Sequence, residues 1–591
     1  MARLLKRVNV LHDYESDLEE IKTWYREHLS RTPPPSWPSM PVRIGPTWQW
    51  NETGWLLPEH TLGWEKLAWD GMWLRDSKTG SAWKWTDEQA RFWLWFYALD
   101  ETGRPLHDTA VLQRLKGWGK DPMAAGGAIG SCFAPLTFDH WGNDGQPVGR
   151  EEENAWVQVV AVSLEQTKNT MKLLPGLLPA DTRTRYGIQL GKLNMWAMGD
   201  SRQIEAVTSS PLTLEGARPT FVIRNETQNW NSSNGGHDMD GVLSGNAAKR
   251  ETGVNVKTLD ICNAYRDGED SVAQRVREAW EGTQDTADQK AKYRDFGLLY
   301  DSLEAAPDTP MTVDTIPQVV GTVRGDSTWL DPKRIVKEII NPKNPPSESR
   351  RKWFNQVEAP EDAFVTSQEW DANENPELKL EEGEEIVMFG DFSLNDDSTA
   401  LVACRVSDGF VKILGLWNKP SGKRGEDWRV PRESVDKVVK DANSQFKVLA
   451  FWGDPSHVFD SETGMHYWDG LFDEWHRTYG RRYKVWAVPG GDNKHTIMFD
   501  MVKTSIQKRY VDAVAQAYED IASGNFPHDG DARLRAHMLN ARRQPTRAGM
   551  SIAKEHRESR RKIDAAFSAI GARMVRREYL NSNQRRGGHA W

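Results

Sequence analysis

The sequence predicts an α/β protein of two sheet-based domains, and three observations carry that reading. Short β-type runs alternate with helical stretches from about residue 109 to 280, which argues for a mostly parallel sheet flanked by helices. A second α/β pattern begins at Ile386. Between the two lies a stretch rich in proline and charge, Asn341 to Glu385, with Asn344-Pro345-Pro346 and the acidic run Glu381-Glu382-Gly383-Glu384-Glu385. At 591 residues the chain is too long for one hydrophobic core. The boundaries expected are an N-terminal extension over 1–65, a first domain over 66–340, a linker over 341–385 and a second domain over 386–591 with a basic tail.

Taken in order, residues 1–65 are rich in proline and tryptophan and read as a helix followed by irregular structure. Thr86 and Gln89 stand at capping-box spacing, with Asp87 and Glu88 in the first turn. The helix they open, Ala90 to Leu99, is apolar nearly all round and so is expected to be buried. Strands are expected at 109–112, 156–162 and 220–223, then at 386–389, 400–406, 411–417 and 448–451. Helices follow at 494–522 and 557–578. Most of the 28 Trp are expected in the core or between elements.

Composition excludes several classes. The longest apolar run, Phe92 to Leu99, is far too short to span a bilayer. The basic N-terminus lacks the apolar stretch of a secretory signal. Cys132, Cys262 and Cys404 are far apart and offer neither a disulfide framework nor zinc spacing, which fits a reducing compartment. The net charge is −9, but from Ala541 to Trp591 thirteen Lys and Arg face four Asp and Glu. That segment carries +9 and the remainder −18, so a basic tail on an acidic body can follow a phosphate backbone.

Two constellations carry chemistry. Arg114-Leu115-Lys116-Gly117-Trp118-Gly119-Lys120-Asp121 is a degraded form of the phosphate loop G-x-x-x-x-G-K-[ST]. It lies between a β run and a small-residue helix, so its backbone N–H groups and Lys120 are placed to hold ATP phosphates. Arg114 replaces the first glycine, and Asp121 replaces the hydroxyl residue that binds Mg²⁺. The partner strand should end in Asp-Glu, the first for Mg²⁺ and the second to polarise water. Here Phe221-Val222-Ile223-Arg224 ends in Asn225-Glu226, so Glu226 is the candidate general base and Asn225 offers only a neutral oxygen. In the second half, Asp391 and Asp454 each end a strand. Two-metal hydrolysis of a phosphodiester needs carboxylates from different strands holding two cations about 3.5–4 Å apart. A lone strand-end Asp is as readily a turn or helix cap; the ordered series is what gives the pattern its weight. Asp396 and Asp397, just after the first strand, assist that site or shape a turn.

With these motifs in place, the chain resembles the large terminase subunit of tailed bacteriophages over roughly residues 85 to 580. The resemblance rests on the Arg-led loop ending Gly117-Trp118-Gly119-Lys120-Asp121-Pro122, on Asn225-Glu226-Thr227-Gln228-Asn229-Trp230 and on the later acidic segments. It implies an N-terminal P-loop ATPase domain of RecA/ASCE type and a C-terminal RNase H-like nuclease domain. It also implies ATP and Mg²⁺ as cofactors, with Mn²⁺ possible at the nuclease site. Arg114 would contact the γ-phosphate or act as an arginine finger. Leu259 to Ala264 resembles the family's coupling motif, with Asn263 in place and Cys262 where a hydroxyl is usual. Gln166 matches a recurrent glutamine. The third nuclease acid comes from a late segment: Asp564 is favoured, and Asp531, with His537 and Asn540 beside it, is the alternative. The implied partners are double-stranded DNA, a portal protein, a small terminase subunit and further copies in a homo-oligomeric ring, a pentamer by family, in the bacterial host cytoplasm and transiently at the procapsid portal. Rival readings are a helicase-nuclease, which would need a second motor domain, and a structural or portal-associated protein with decayed sites.

Overall fold

The computed structural model describes residues 14–31, 41–52, 54–208, 216–248, 256–284, 297–307, 309–394, 397–420, 425, 428–455, 459–460, 464–491, 494–555, 559 and 561–587. Asp396, the proline run at 33–35 and the last four residues lie outside them. The chain divides into two compact units, Met1–Glu358 and Ala359–Trp591.

Unit 1 is built on a nine-stranded sheet. Its strands are β1 (Val42–Ile44), β2 (Thr109–Gln113), β3 (Trp156–Ala161), β4 (Gln189–Leu190), β5 (Asn194–Ala197), β6 (Arg202–Thr208), β7 (Phe221–Asn225), β8 (Lys257–Cys262) and β9 (Leu298–Glu304). They lie in the order β1-β9-β2-β8-β7-β3-β6-β5-β4. The six from β9 to β6 run parallel, and β1 and β5 are antiparallel additions. The strand entering the glycine-rich loop, β2, is separated from the acid-bearing strand β7 by β8. This inserted strand is the arrangement of the RecA/ASCE class.

The residues set apart as an extension are part of this unit. Helix α1 (Tyr14–Arg31) buries Ile21, Tyr25 and Leu29 in the main core, and β1 pairs with β9. Helix α2 is Gly63–Trp73. Helix α3 (Asp87–Phe96) opens with the complete Thr86–Gln89 capping box and is buried on nearly every side. Helix α4 (Lys120–Phe133) follows the loop. Its small residues permit close approach mainly to aromatic rings: a Cβ at Gly126 would stand 2.7 Å from Trp85, and one at Gly127 2.9 Å from Trp93.

Unit 2 has a four-stranded sheet of β10 (Glu385–Asp391), β11 (Thr399–Arg405), β12 (Val411–Trp417) and β13 (Lys447–Asp454), in the order β12-β11-β10-β13. The first three form an antiparallel meander and β13 joins β10 in parallel, the core of an RNase H-like sheet. Period-two alternation fills both faces. Val387 and Phe389 face α10 (Thr504–Ala522) and α12 (Asp564–Gly587), while Ile386 and Met388 face α8 (Arg432–Gln445) and α9 (Asp469–Tyr479). A further helix, α11 (Ala532–Asn540), and a hairpin of β14 (Arg542–Thr546) and β15 (Gly549–Ala553) precede α12.

The stretch read as a linker, 341–385, is divided between the units. Pro346–Ser349 and a π-helical turn, Arg350–Phe354, belong to unit 1. Phe364, Val365 and Trp370 belong to the core of unit 2. Its proline and charge content marks a change of unit, but the chain there is packed.

Candidate functional sites

In unit 1, β2 runs into the loop 114–119, where Gly117 (φ +81°) and Gly119 (φ +113°) adopt left-handed backbone that a side chain would strain. Gly119 is the N-cap of α4, so the N–H groups that follow point to the open helix end. Lys120 is buried, and its Nζ donates to the carbonyls of Arg114 (2.9 Å) and Leu115 (3.1 Å). Burial lowers its pKa; the neighbouring Glu226, Cys262 and Asp121 act in the opposite direction. Burial also raises Asp121, with Lys120 opposing and Glu226 reinforcing the shift. Lys120, Asp121 and Glu226 thus act on one another's charge.

The facing strand ends as expected. Glu226 sits in the left-handed region (φ +58°), uncommon for a side chain larger than glycine. Its carboxylate accepts from the Gln228 side chain and its backbone N–H donates to Ile261 O at 2.8 Å. Asn225 is buried; its amide donates to Gln166 O at 3.1 Å. The side-chain oxygens of Asn225 and Gln166 are both buried without a hydrogen-bond partner. Two orphaned neutral oxygens, one of them on the residue that precedes Glu226, would suit a hydrated divalent cation, whose waters donate to such oxygens. Asn263 donates to Arg114 O at 3.0 Å, the carbonyl that also holds Lys120.

Arg114 stands differently from the role its family position implies. It is fully buried. Its Nε donates to Glu88 at 2.8 Å, one terminal nitrogen to the carbonyls of Gln113 (2.9 Å) and Asp301 (2.8 Å), and the other to the Asp301 carboxylate. Trp48 and Trp118 cover the guanidinium. In this conformation its Nε and both terminal nitrogens are engaged by protein acceptors. The pairing of Arg114 with Glu88 and Asp301 leaves no local mark in the sequence, because they lie 26 and 187 residues away.

In unit 2 the two strand-end acids are direct register partners, Asp391 opposite Asp454. A β-bulge makes them so. The pairing slips by one residue at Val387, where Ala450 rather than Leu449 becomes the partner. Without that slip Asp391 would face Gly453. Asp564 opens α12, is almost fully buried and accepts from Ser398 N at 3.2 Å. Burial, reinforced by Asp564, Asp454 and Asp397, holds the Asp391 carboxyl well above the usual range. Burial, with Asp397, pushes Asp564 up to about 6. Asp397 itself accepts from Lys554 (2.6 Å) and Lys562 (2.8 Å), cations the sequence reading passed over.

Asp531 is placed otherwise. It is the N-cap of α11, accepting from Arg533 N at 2.8 Å and from the Arg533 guanidinium at 2.6 Å, which keeps its pKa low. Its neighbours act on Asp564 indirectly. His537, pushed down to about 4 by burial, is neutral and accepts the N–H of Ala565 at 3.0 Å. Asn540 donates to Lys562 O at 3.0 Å. The segment 531–540 therefore braces the start of α12.

Among the described residues, no group of three or more His, Cys, Asp or Glu side chains is arranged to hold a single ion. Asp391 and Asp454, half-buried at one end of the sheet, and the buried Asp564 would offer carboxylates to divalent cations, whose positive charge would offset their mutual repulsion.

No protein-family model matches the sequence. Among solved structures the chain is similar to the large terminase of bacteriophage HK97 (16% identity, 87% of this chain and 100% of that one, TM-score 0.44). It is also similar to the large terminase of a thermophilic bacteriophage in complex with ADP (11%, 79% and 94%, TM-score 0.27) and to the large terminase nuclease of the thermophilic phage G20c with bound magnesium (13%, 36% and 97%, TM-score 0.25). No described helix is long and apolar enough to cross a membrane. The gene 13 protein of Mycobacterium phage L5 is 37% identical over 93% of this chain and 97% of its own length, and that of phage D29 is 36% identical over the same shares. The chain belongs to the family of these mycobacteriophage gene 13 proteins.

Proposed function

We propose that the chain is a large terminase subunit, an ATP-driven translocase of double-stranded phage DNA joined to a metal-dependent endonuclease that cuts concatemeric DNA. The observation that carries this reading is one polypeptide with both constellations in order. Lys120, Asp121 and Glu226 converge at the C-terminal ends of parallel strands. Asp391, Asp454 and Asp564 converge at the end of an RNase H-like sheet.

In the motor, the β- and γ-phosphates of ATP take backbone N–H groups of the loop and the start of α4. Lys120 exchanges the Arg114 and Leu115 carbonyls for phosphate oxygens, an exchange of acceptors that keeps its ammonium satisfied. Glu226 orients and polarises the attacking water. The Arg114 carbonyl loses one of its two donors in that swap and keeps Asn263, which gives the coupling segment on β8 a direct view of the nucleotide state. Asn225, Gln166 and Asp121 would hold the Mg²⁺ and its waters, and the bound ion would supply neutralisation of the phosphate charge. In the nuclease, Asp391, Asp454 and Asp564 would hold two Mg²⁺ or Mn²⁺ ions, and bound there the ions would supply activation of water and stabilisation of the leaving oxygen. The partners are DNA, drawn by the basic C-terminal segment, a portal, a small terminase subunit and further copies of the chain as a ring, in the host cytoplasm.

The test is a pair of assays on one preparation. ATP hydrolysis should rise with DNA and vanish in Lys120→Ala. Plasmid cleavage should vanish in Asp391→Ala, which should keep its DNA-stimulated hydrolysis. Normal turnover in Lys120→Ala would sink the motor site, and undiminished cutting by Asp391→Ala would sink the nuclease.

A further inference from the structure

Helix α6 (Ile316–Val323) and helix α7 (Pro332–Ile339) are joined by a connection that grips the phosphate loop. Ser327 Oγ donates to Trp118 O at 2.8 Å, and Trp329 Nε1 donates to Gly117 O at 3.0 Å. The connection is itself anchored. Asp326 accepts the backbone N–H of Glu88 at 2.8 Å, Arg324 holds the Leu330 carbonyl, and Asp331 caps α7. Trp329 is nonetheless 55% exposed. Most tryptophans of this chain that make such anchored contacts lie inside a core. This one keeps its N–H on the loop and turns much of its ring to solvent. The ring passes close to Gly119: a Cβ there would stand 3.2 Å from Trp329 Cζ2 and 3.2 Å from Gln89 Nε2. Gly119, the residue that leads into α4, thus lies against the edge of the Trp329 ring and the Gln89 carboxamide.

We infer that Trp329 is the stacking platform for the base of the bound nucleotide, an inference that rests on the nucleotide-site reading above. A flat, exposed π-face fixed at the rim of a phosphate-binding loop meets a planar base without further ordering, because the ring is already held by its N–H. Base–aromatic stacking tolerates any base but requires one, so Trp329 distinguishes a nucleoside triphosphate from a bare polyphosphate.

The experiment is isothermal titration of the full chain with Mg²⁺-ATP and, separately, with Mg²⁺ and inorganic tripolyphosphate. Wild type should bind ATP more tightly than tripolyphosphate. Trp329→Ala should weaken ATP by roughly tenfold or more and leave tripolyphosphate unchanged. Trp329→Phe, which keeps a ring and loses the N–H, should restore most of the ATP affinity. Equal loss for both ligands in Trp329→Ala would overturn the inference, since the residue would then act only by shaping the loop through Gly117. Equal wild-type affinities would overturn it too, while leaving the phosphate site standing. A wild-type chain that binds neither ligand would overturn the nucleotide-site reading and this inference with it.

Discussion

The Arg114 guanidinium is saturated by Glu88, Asp301 and two carbonyls, and that assigns it work in the unliganded protein. Removing one partner of a buried pair leaves the other charges uncompensated, at a cost of about 3–5 kcal/mol. Arg114→Ala should therefore lower the denaturant midpoint of the nucleotide-free chain markedly. A residue that served the γ-phosphate alone would leave that midpoint unchanged, so equilibrium unfolding separates the two roles. Asn225 makes the opposite case. Its side-chain oxygen has no partner, and a carboxylate there would add a buried negative charge next to Glu226 in the chain. Asn225→Asp should reduce stability without divalent cation and lower the Mg²⁺ concentration for half-maximal ATP hydrolysis. An unchanged Mg²⁺ titration would remove Asn225 from the cation site. Both residues were legible in the sequence as departures from a motif. What they touch was not, because the partners that decide their roles come from α3, from the distant strand β9 and from the backbone of α5 (Leu164–Met171).

Local signals were the legible ones among the elements. The Thr86–Gln89 box, the loop into α4 and the strands ending in Asn225, Asp391 and Asp454 all depend on residues a few positions apart. The β-bulge that aligns Asp391 with Asp454 left no such mark, since it is a property of the pairing and not of either strand. For the third acid the sequence favours Asp564 over Asp531 by resemblance alone, since both stand in late segments that recur in the family. Tertiary packing separates them: α12 crosses the sheet, and α11 braces it. That crossing is tight. A Cβ at Gly571 would fall 2.4 Å from the Phe389 ring on β10, which is buried and has little room to turn. Gly571→Ala should push α12 away from β10 at a cost of about 1–3 kcal/mol and displace Asp564 at its start. Plasmid cleavage should fall while DNA-stimulated ATP hydrolysis holds. Full cleavage by a folded Gly571→Ala protein would mean that Asp564 does not depend on this packing.

For the whole molecule, the boundary between units decides what can be separated. A fragment cut within the proline- and charge-rich stretch, at 376, would keep every nuclease carboxylate and the basic tail. It would lose Phe364, Val365 and Trp370 from the core. Trp370 stacks on His528 at 4.1 Å, its carbonyl bonds to the His528 ring at 3.0 Å, and Asn373 bridges Ile521 O and Phe526 N at 3.0 and 2.8 Å. Losing one buried tryptophan alone costs about 3–5 kcal/mol, a large share of a domain's net stability. The fragment 359–591 retains all of these contacts and should unfold cooperatively on its own. It should cut DNA with Mn²⁺ or Mg²⁺ and be indifferent to ATP. The fragment 376–591 should show a much lower midpoint or no cooperative transition, although no residue of the carboxylate site has been removed. Equal midpoints for the two fragments would show that residues 359–375 are a tether after all, and an inactive but folded 359–591 would show that cleavage needs the motor.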